Sequence, residues 1–161
     1  MTSSKCYRVP GFLANGVHVG IKADGRPDLS MIFSTSPATA AGVFTTNCFK
    51  AAPVLLDLER IRSGEAQAVI ANSGVANAAT GAEGFADALA VSRTASGELG
   101  IPDEMVLVAS TGVIGHRLPL RNLADNVAHF VGKRFHWCII PRSTLRIIVF
   151  RMELVNSPST L

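Results

Sequence analysis

The stretch VLVASTGVIGH, residues 106–116, joins an apolar run to an abrupt polar end. A continuous apolar run that is bounded by turn residues is typical of a buried strand. At its end stand Ser110, Thr111 and Gly112, which can bring a hydroxyl group and a bare backbone N–H close to a ligand oxygen. The stretch therefore predicts a buried strand whose carboxyl end is a candidate site for stabilising an oxyanion.

A second stretch, QAVIANSGVANAATG (residues 67–81), has the same design. Its apolar run ends in Asn72, Ser73 and Gly74, and Asn77, Thr80, Gly81 follow. Most clusters of this kind after strands are ordinary turns, so a turn and a ligand site remain alternative interpretations of both stretches. Neither Ser73 nor Ser110 has the flanking glycines of a nucleophile elbow.

Other candidate groups are weaker. The four histidines have no paired spacing typical of a metal site; they are His18, His116, His129 and His136. The acidic residues near turns are predicted to be solvated rather than catalytic; they are Asp24, Asp28, Asp103 and Glu104. The glycines at 11–20 are not followed by Gly-Lys-Ser/Thr, which excludes a phosphate loop of that kind.

The composition indicates a folded domain rather than a disordered chain. The 161 residues are 48% hydrophobic and 17% charged, with few aromatic side chains. Cys6, Cys48 and Cys138 are far apart and odd in number, so they predict neither a disulfide framework nor a metal site. The N-terminus has no basic segment followed by an apolar one, and no stretch reaches the length of a membrane span. We therefore expect a cytoplasmic protein.

The excess of positive charge does not indicate a nucleic-acid partner. Residues 1–132 carry a net charge of −1, whereas residues 133–161 carry +4. The basicity therefore lies in a short C-terminal stretch and not on one face of the domain.

Alternating strand-like and helix-like segments predict a mixed α/β fold. Strands are predicted at 16–22, 29–35, 40–46, 52–57, 67–74 and 105–111. Helical spacing appears at 84–99, where Gly100 is the stop, and again at 119–131, while 58–64 is a helical turn closed by Gly64.

After Val131 the sequence changes in character, with the single Trp and many Arg residues. Two interpretations of residues 132–161 remain open. One is a C-terminal strand pair with LRIIVF (145–150) as its second strand. The other is an unrelated tail, translated in a shifted reading frame or artificial.

Three long strings together resemble the ornithine acetyltransferase (glutamate N-acetyltransferase) family of arginine biosynthesis. They lie at 11–54, 72–81 and 100–120, in collinear order. The resemblance implies a layered α-β-β-α sandwich of the aminopeptidase/amidase-like N-terminal-nucleophile type, incomplete in this chain. Residues 1–131 would be the N-terminal part of that domain. Val75 and Ala79 depart from the family pattern, which has Asn and often Cys at these positions.

The resemblance also implies a chemistry. The family transfers acetyl from N-acetylornithine to glutamate, and bifunctional members also use acetyl-coenzyme A as a substrate; no cofactor is implied. Thr111 and Gly112 match the oxyanion-stabilising pair. The nucleophile is a threonine freed by self-cleavage in a downstream segment, and nothing after Val131 resembles it.

We therefore expect no acetyl transfer by this chain alone. Its expected partners are the two small-molecule substrates and the missing C-terminal half, with the two cut halves forming a hetero-tetramer, and neither nucleic acid nor a membrane. Substrate-binding residues stay unassigned, and no metal site is expected. The alternative is a non-catalytic small α/β domain that binds an acidic metabolite at its glycine-rich loops.

Overall fold

A computed structural model describes residues 9–123, 126–127 and 150–154 of the chain. These residues form an α/β fold, as predicted. The elements are β1 (Phe12–Val17), β2 (Leu29–Gly42), α1 (Ala52–Arg60), β3 (Glu65–Val75), α2 (Gly81–Leu99), β4 (Val106–Val113) and β5 (Phe150–Leu154). Short 3-10 turns lie at Ile61–Ser63 and Asp103–Met105. No helix in the described part of the chain is long and apolar enough to cross a membrane.

The strands form one mixed sheet in the order β1-β2-β3-β4. β2 pairs antiparallel with β1 and with β3, whereas β3 and β4 are parallel. Because β3 and β4 are parallel, their carboxyl ends, which carry the two candidate motifs, meet at one end of the sheet.

Both helices pack on the same face of this sheet. Their buried residues, including Leu56 of α1 and Val91 of α2, share one apolar cluster with Met31, Ile70 and Val108 of the strands. Among the described residues, one sheet and one helix layer of the implied sandwich are therefore present.

The sequence predicted β3, α2 and β4 correctly. β3 and β4 are continuous apolar runs, and β4 begins one residue later than expected. α2 ends at Gly100, which adopts a left-handed conformation with φ of 67°, as a helix-stopping glycine does. Gly64 closes the turn after α1 in the same way, with φ of 74°. These elements agree with prediction because their local signals and their burial point to the same structure.

The strand predicted at 52–57 is wrong, because these residues begin helix α1. Pro53 lies in the first turn, where its missing N–H costs no hydrogen bond. Ala52 and Leu56, four residues apart, face the core. A short apolar run is ambiguous between strand and buried helix, and here the packing against β4 decides for the helix.

β2 contains all of the strand predicted at 29–35 but only residues 40–42 of the one predicted at 40–46, since residues 43–46 lie beyond its end. β2 continues through Ser36-Pro37, and its register with β3 shifts between Phe33 and Ala38. An irregularity of this kind tolerates a proline that a regular ladder would exclude. The strand predicted at 16–22 lies earlier, at Phe12–Val17.

Most of the C-terminal stretch lies outside the described residues, as do His129, His136 and Trp137. Residues 150–154 pair antiparallel with the second half of β2, whereas LRIIVF was the predicted strand. The helix predicted at 119–131 is helical at 120–123 and 126–127, and the remainder lies outside the described residues. The division of the chain at residue 131 stays a prediction.

Candidate functional site

The parallel register of β3 and β4 places the two candidate motifs side by side. Asn72 lies opposite Ser110, Ser73 opposite Thr111, and Gly74 opposite Gly112. The two strand ends that the sequence singled out separately are therefore one structural unit.

The backbones of the two strands approach most closely at the glycines. A Cβ built on Gly112 would lie 2.6 Å from the Val75 nitrogen and closer still to the Gly74 carbonyl. Gly112 also has φ of 134° and Gly74 has φ of 111°, which L side chains rarely adopt. Both positions therefore require glycine, and the end of β4 is held tightly against β3.

A pair of polar side chains joins the same strand ends on the helix-covered face. The Ser110 hydroxyl donates to Asn72 Oδ1 at 2.6 Å, and Asn72 Nδ2 donates to the Val75 carbonyl at 2.8 Å. Asn72 is only 8% exposed. The sequence placed both residues among the candidates, but 38 positions separate them, and only the strand register reveals the contact.

Thr111 and Gly112 lie at the open end of β4. Both residues are exposed, as are Val113 and Ile114 beyond them. The Thr111 hydroxyl has no hydrogen-bond partner among the described residues, and Thr111 alternates with Ser110, so it lies on the opposite face. This hydroxyl is therefore available to a ligand.

The first half of β4 has its outer edge covered by α1. Asp57 accepts the Val108 N–H at 2.9 Å, and Arg60 donates to the Val106 carbonyl. Because backbone groups alternate in direction along a strand, the Gly112 N–H points to this same outer side, beyond the part that α1 covers. Burial raises the pKa of Asp57 to about 7, against the opposing effects of the Val108 N–H and Arg60.

The prediction that Asp28 is solvated is wrong. Its carboxylate is buried and accepts the backbone N–H groups of Val19, Ile21 and Lys22 at 2.7, 2.8 and 2.9 Å. Burial alone would raise its pKa, but the three N–H donors and nearby His18 outweigh that effect and hold the pKa below its ordinary value. The Asp28 carbonyl accepts the Ser73 N–H at 2.8 Å, so this turn also supports the end of β3.

The other acidic residues near turns differ in their surroundings. Asp24 is exposed and pairs with Arg26 at the surface, and Glu104 is exposed. Asp103 is partly buried and forms an ion pair with Arg60 at 2.9 Å. The prediction of solvated side chains is therefore confirmed for Asp24 and Glu104 and is wrong for Asp103.

Arg117 is not among the candidate residues that the sequence predicts. It binds the buried carboxylate of Asp87 with two nitrogen atoms, at 2.5 and 2.7 Å, and contacts Glu83 at 2.6 Å. The hydrogen bonds to Asp87 are the main reason why the pKa of Arg117 is raised. This two-pronged contact ties the loop that follows Thr111-Gly112 to α2. A basic residue five positions after a glycine is a weak signal, which explains the omission.

The remaining candidates of the second loop form the turn before α2. The Thr80 hydroxyl donates to Asn77 Oδ1, and the Asn77 amide donates to the Gly84 carbonyl, both at 2.8 Å. Gly81 begins α2. For these three residues the structure supports the turn interpretation. A surface groove of about 290 Å³ lies beside them, lined by Phe49, Lys50, Ala52, Leu55, Ala79, Thr80 and Gly81.

Histidine and cysteine side chains form no metal centre in the part of the chain that the structure describes. His18 contacts the Arg26 carbonyl and the Asp28 carboxylate, and His116 is exposed. Cys48 is an exposed free thiol.

The chain is similar in sequence to known proteins of one family. Residues 13–146 match the model of the ArgJ family. The "Arginine biosynthesis bifunctional protein ArgJ" of Syntrophotalea carbinolica is 54% identical over 120 residues, which are 74% of this chain and 30% of that protein. The "Arginine biosynthesis bifunctional protein ArgJ 1" of Clostridium acetobutylicum is 49% identical over 135 residues, covering 84% and 32%. The chain thus spans about 30% of the length of these curated relatives.

Two solved structures have the same fold. Ornithine acetyltransferase from Mycobacterium tuberculosis, complexed with ornithine, superposes with a TM-score of 0.78 at 43% identity, over 84% of this chain and 72% of that one. The ArgJ protein of Bacillus halodurans gives a TM-score of 0.71 at 41% identity, over 74% and 62%. Sequence and structure agree over most of the chain, and this protein belongs to the ArgJ family.

Proposed function

We propose that this protein acts in arginine biosynthesis by transferring acetyl from N-acetylornithine to glutamate, with Thr111 and Gly112 stabilising the oxyanion. The observation that carries the proposal is the exposed Thr111 hydroxyl, which has no hydrogen-bond partner among the described residues. Next to it is Gly112, whose N–H is expected from strand alternation on the outer edge of β4, beyond the part that α1 covers. The similarity to arginine biosynthesis bifunctional proteins and to the M. tuberculosis enzyme complexed with ornithine supports the substrate class.

The chemistry needs two donors at this point. When a nucleophile adds to the acetyl carbonyl carbon of N-acetylornithine, the C=O electron pair moves onto oxygen. The Thr111 O–H and the Gly112 N–H would donate to that oxygen. When the intermediate collapses, the C–N bond breaks, the ornithine amine leaves with the proton that the nucleophile gave up, and the acetyl group stays on the nucleophile until the glutamate amine takes it. Fixed donors of this type act mainly in the transition state, because only there is the negative charge developed.

The nucleophile belongs to another part of the family's polypeptide. Within the described residues, no hydrogen bond joins a serine, threonine or cysteine side chain to a histidine or lysine base. We therefore propose that the attacking threonine lies in a downstream part of the family's polypeptide, which would form the functional unit together with this chain. Acetyl-coenzyme A would enter as a second acetyl donor.

A chimera tests the proposal. Residues 13–123 replace the matching part of the S. carbinolica relative, and acetyl transfer from N-acetylornithine to glutamate is measured. We expect transfer by the chimera and none by the 161-residue chain alone. A soluble, folded chimera without activity would contradict the proposal. Binding of an acidic metabolite by the chain, with no transfer by the chimera, would favour a non-catalytic binding domain.

A further inference from the structure

We infer that Ser110 and Asn72 are positioning residues. They fix the register of β4 relative to β3, and thereby the places of Thr111 and Gly112 in the oxyanion site. The inference rests on the proposed function, and it goes beyond it by assigning a role to two side chains that do not face the substrate. Ser110 precedes Thr111 directly and lies on the opposite face of β4.

The side-chain chemistry changes along the two strands. On the helix-covered face, successive neighbouring pairs are Ala68 with Val106, Ile70 with Val108, and then Asn72 with Ser110. Two apolar pairs are thus followed by a polar pair, although Asn72 is almost as buried as the residues below it. Burying polar groups is unfavourable unless they are hydrogen-bonded, so the pair adds little to stability compared with an apolar one.

The hydrogen bonds of this pair also indicate positioning. The Ser110 hydroxyl joins β4 to Asn72 of β3, and the Asn72 amide donates to the carbonyl of Val75, three residues further along β3. The contact between Gly112 and the backbone of Gly74 and Val75 lies within the same span. The Ser110–Asn72 hydrogen bond therefore opposes sliding of β4 relative to β3, and the Asn72–Val75 hydrogen bond fixes the β3 segment against which Gly112 packs.

Asn72 and Ser110 are both uncharged, so they fix the geometry without placing a negative charge near the developing oxyanion. An ionised carboxylate in their place would oppose that charge. A neutral pair, with Asn72 buried and Ser110 half-buried, suits a supporting role beneath a site that binds a negative oxygen.

Amide hydrogen exchange of the 161-residue chain tests the inference without any need for activity. The reporters are the amides of Ala76 and Gly115, which donate to the Val113 and Ala78 carbonyls across the two strand ends. The reference is the Val108 amide, bound to Asp57. With Ser110→Ala we expect about tenfold faster exchange at the reporters and no change at the reference, as for a local opening.

Two further variants separate positioning from general stability. Ser110→Thr keeps the hydroxyl and should restore slow exchange. Ser96→Ala removes a buried hydroxyl on α2 that donates to the Arg93 carbonyl, and it should leave the reporters unchanged. Unchanged reporters in Ser110→Ala, or equal acceleration at the reporters and at Val108, would overturn the inference.

The chimera adds a catalytic measurement. Ser110→Ala should lower kcat by about tenfold and leave KM within about twofold, since a misplaced donor weakens the transition state more than substrate binding. An inactive unsubstituted chimera would contradict the proposed function, and the exchange experiment would still decide the positioning role. An active chimera whose kcat is insensitive to Ser110→Ala would refute positioning alone.

Discussion

The two halves of β4 differ in nearly every physical respect, although they are consecutive in one strand. Val106–Val108 is buried, and α1 covers its outer edge, where Asp57 accepts the Val108 N–H and Arg60 donates to the Val106 carbonyl. Thr111–Val113 is exposed and contains a glycine that only a close backbone approach explains. The first half is stabilised by burial and hydrogen bonds, whereas the second half is accessible to solvent. Because the two halves are one strand, the fixed first half also determines where the exposed second half lies.

The largest expected effect concerns the exposed half. In an active chimera, Thr111→Val should lower kcat by about 10²–10³ and leave KM nearly unchanged, because the lost donor acts on the transition state. Steady-state kinetics with varied N-acetylornithine measures both constants. Thr111→Ser is the matched control, since it keeps the hydroxyl. A rise in KM alone would mean that Thr111 binds substrate rather than the oxyanion.

The next prediction concerns the close approach of Gly112, in the exposed half, to the backbone of β3. Gly112→Ala should lower the free energy of unfolding by about 3 kcal/mol or more, because the new methyl group meets the backbone of Gly74 and Val75 at an unfavourable φ. Gly97→Ala is the control: this α2 glycine has open space around it and should gain about 0.5–1 kcal/mol. Urea unfolding of both variants provides the comparison, and equal stabilities would contradict the close packing.

We expect the stability of the folded chain to depend on pH through Asp57, which binds the covered half of β4. Its pKa is about 7 in the folded chain, and an unfolded aspartate loses its proton near pH 4. Between these values the unfolded chain releases the proton first, so stability falls as pH rises and levels off above about pH 7. The fall amounts to at most about 4 kcal/mol, at roughly 1.4 kcal/mol for each pKa unit.

Asp57→Asn should abolish this fall, because the amide oxygen still accepts the Val108 N–H and carries no charge. Thermal unfolding of both proteins at several pH values between about 4 and 8 measures the difference. Asp28, whose pKa is lowered, acts in the opposite direction and loses its contribution only below about pH 4. Parallel pH profiles for the two proteins would show that Asp57 titrates normally.

The smallest effect comes from one substitution made in each half. Val108→Ala should cost about 1–2 kcal/mol, because the side chain is 4% exposed and packs in the core. Val113→Ala should change the free energy of unfolding by less than about 0.5 kcal/mol, because that side chain is 57% exposed. Similar losses at both positions, measured in urea, would show that the two halves are not distinct.

Much of this architecture was predictable from local signals. β3, α2 and β4 have long periodic or apolar patterns bounded by glycines, and these signals agree with the final burial. The sequence predicts a strand where α1 begins, because a run of six mostly apolar residues fits a strand as well as a buried helix. The long β2 was read as two strands because Ser36-Pro37 suggests a turn, whereas the shift in register lets the strand continue.

The candidate site divides in the same way. The sequence by itself determined that two apolar strands end in hydroxyl, amide and glycine residues, and the resemblance singled out Thr111 and Gly112 among them. Only the tertiary structure decided that Asn72 meets Ser110, that Gly112 needs glycine, that Arg117 ties down the next loop and that Asp28 is buried. The hydrophobic pattern of a sequence segment shows its period and its polarity. Contacts between residues 38 positions apart depend on strand register and helix placement, which the whole core sets together.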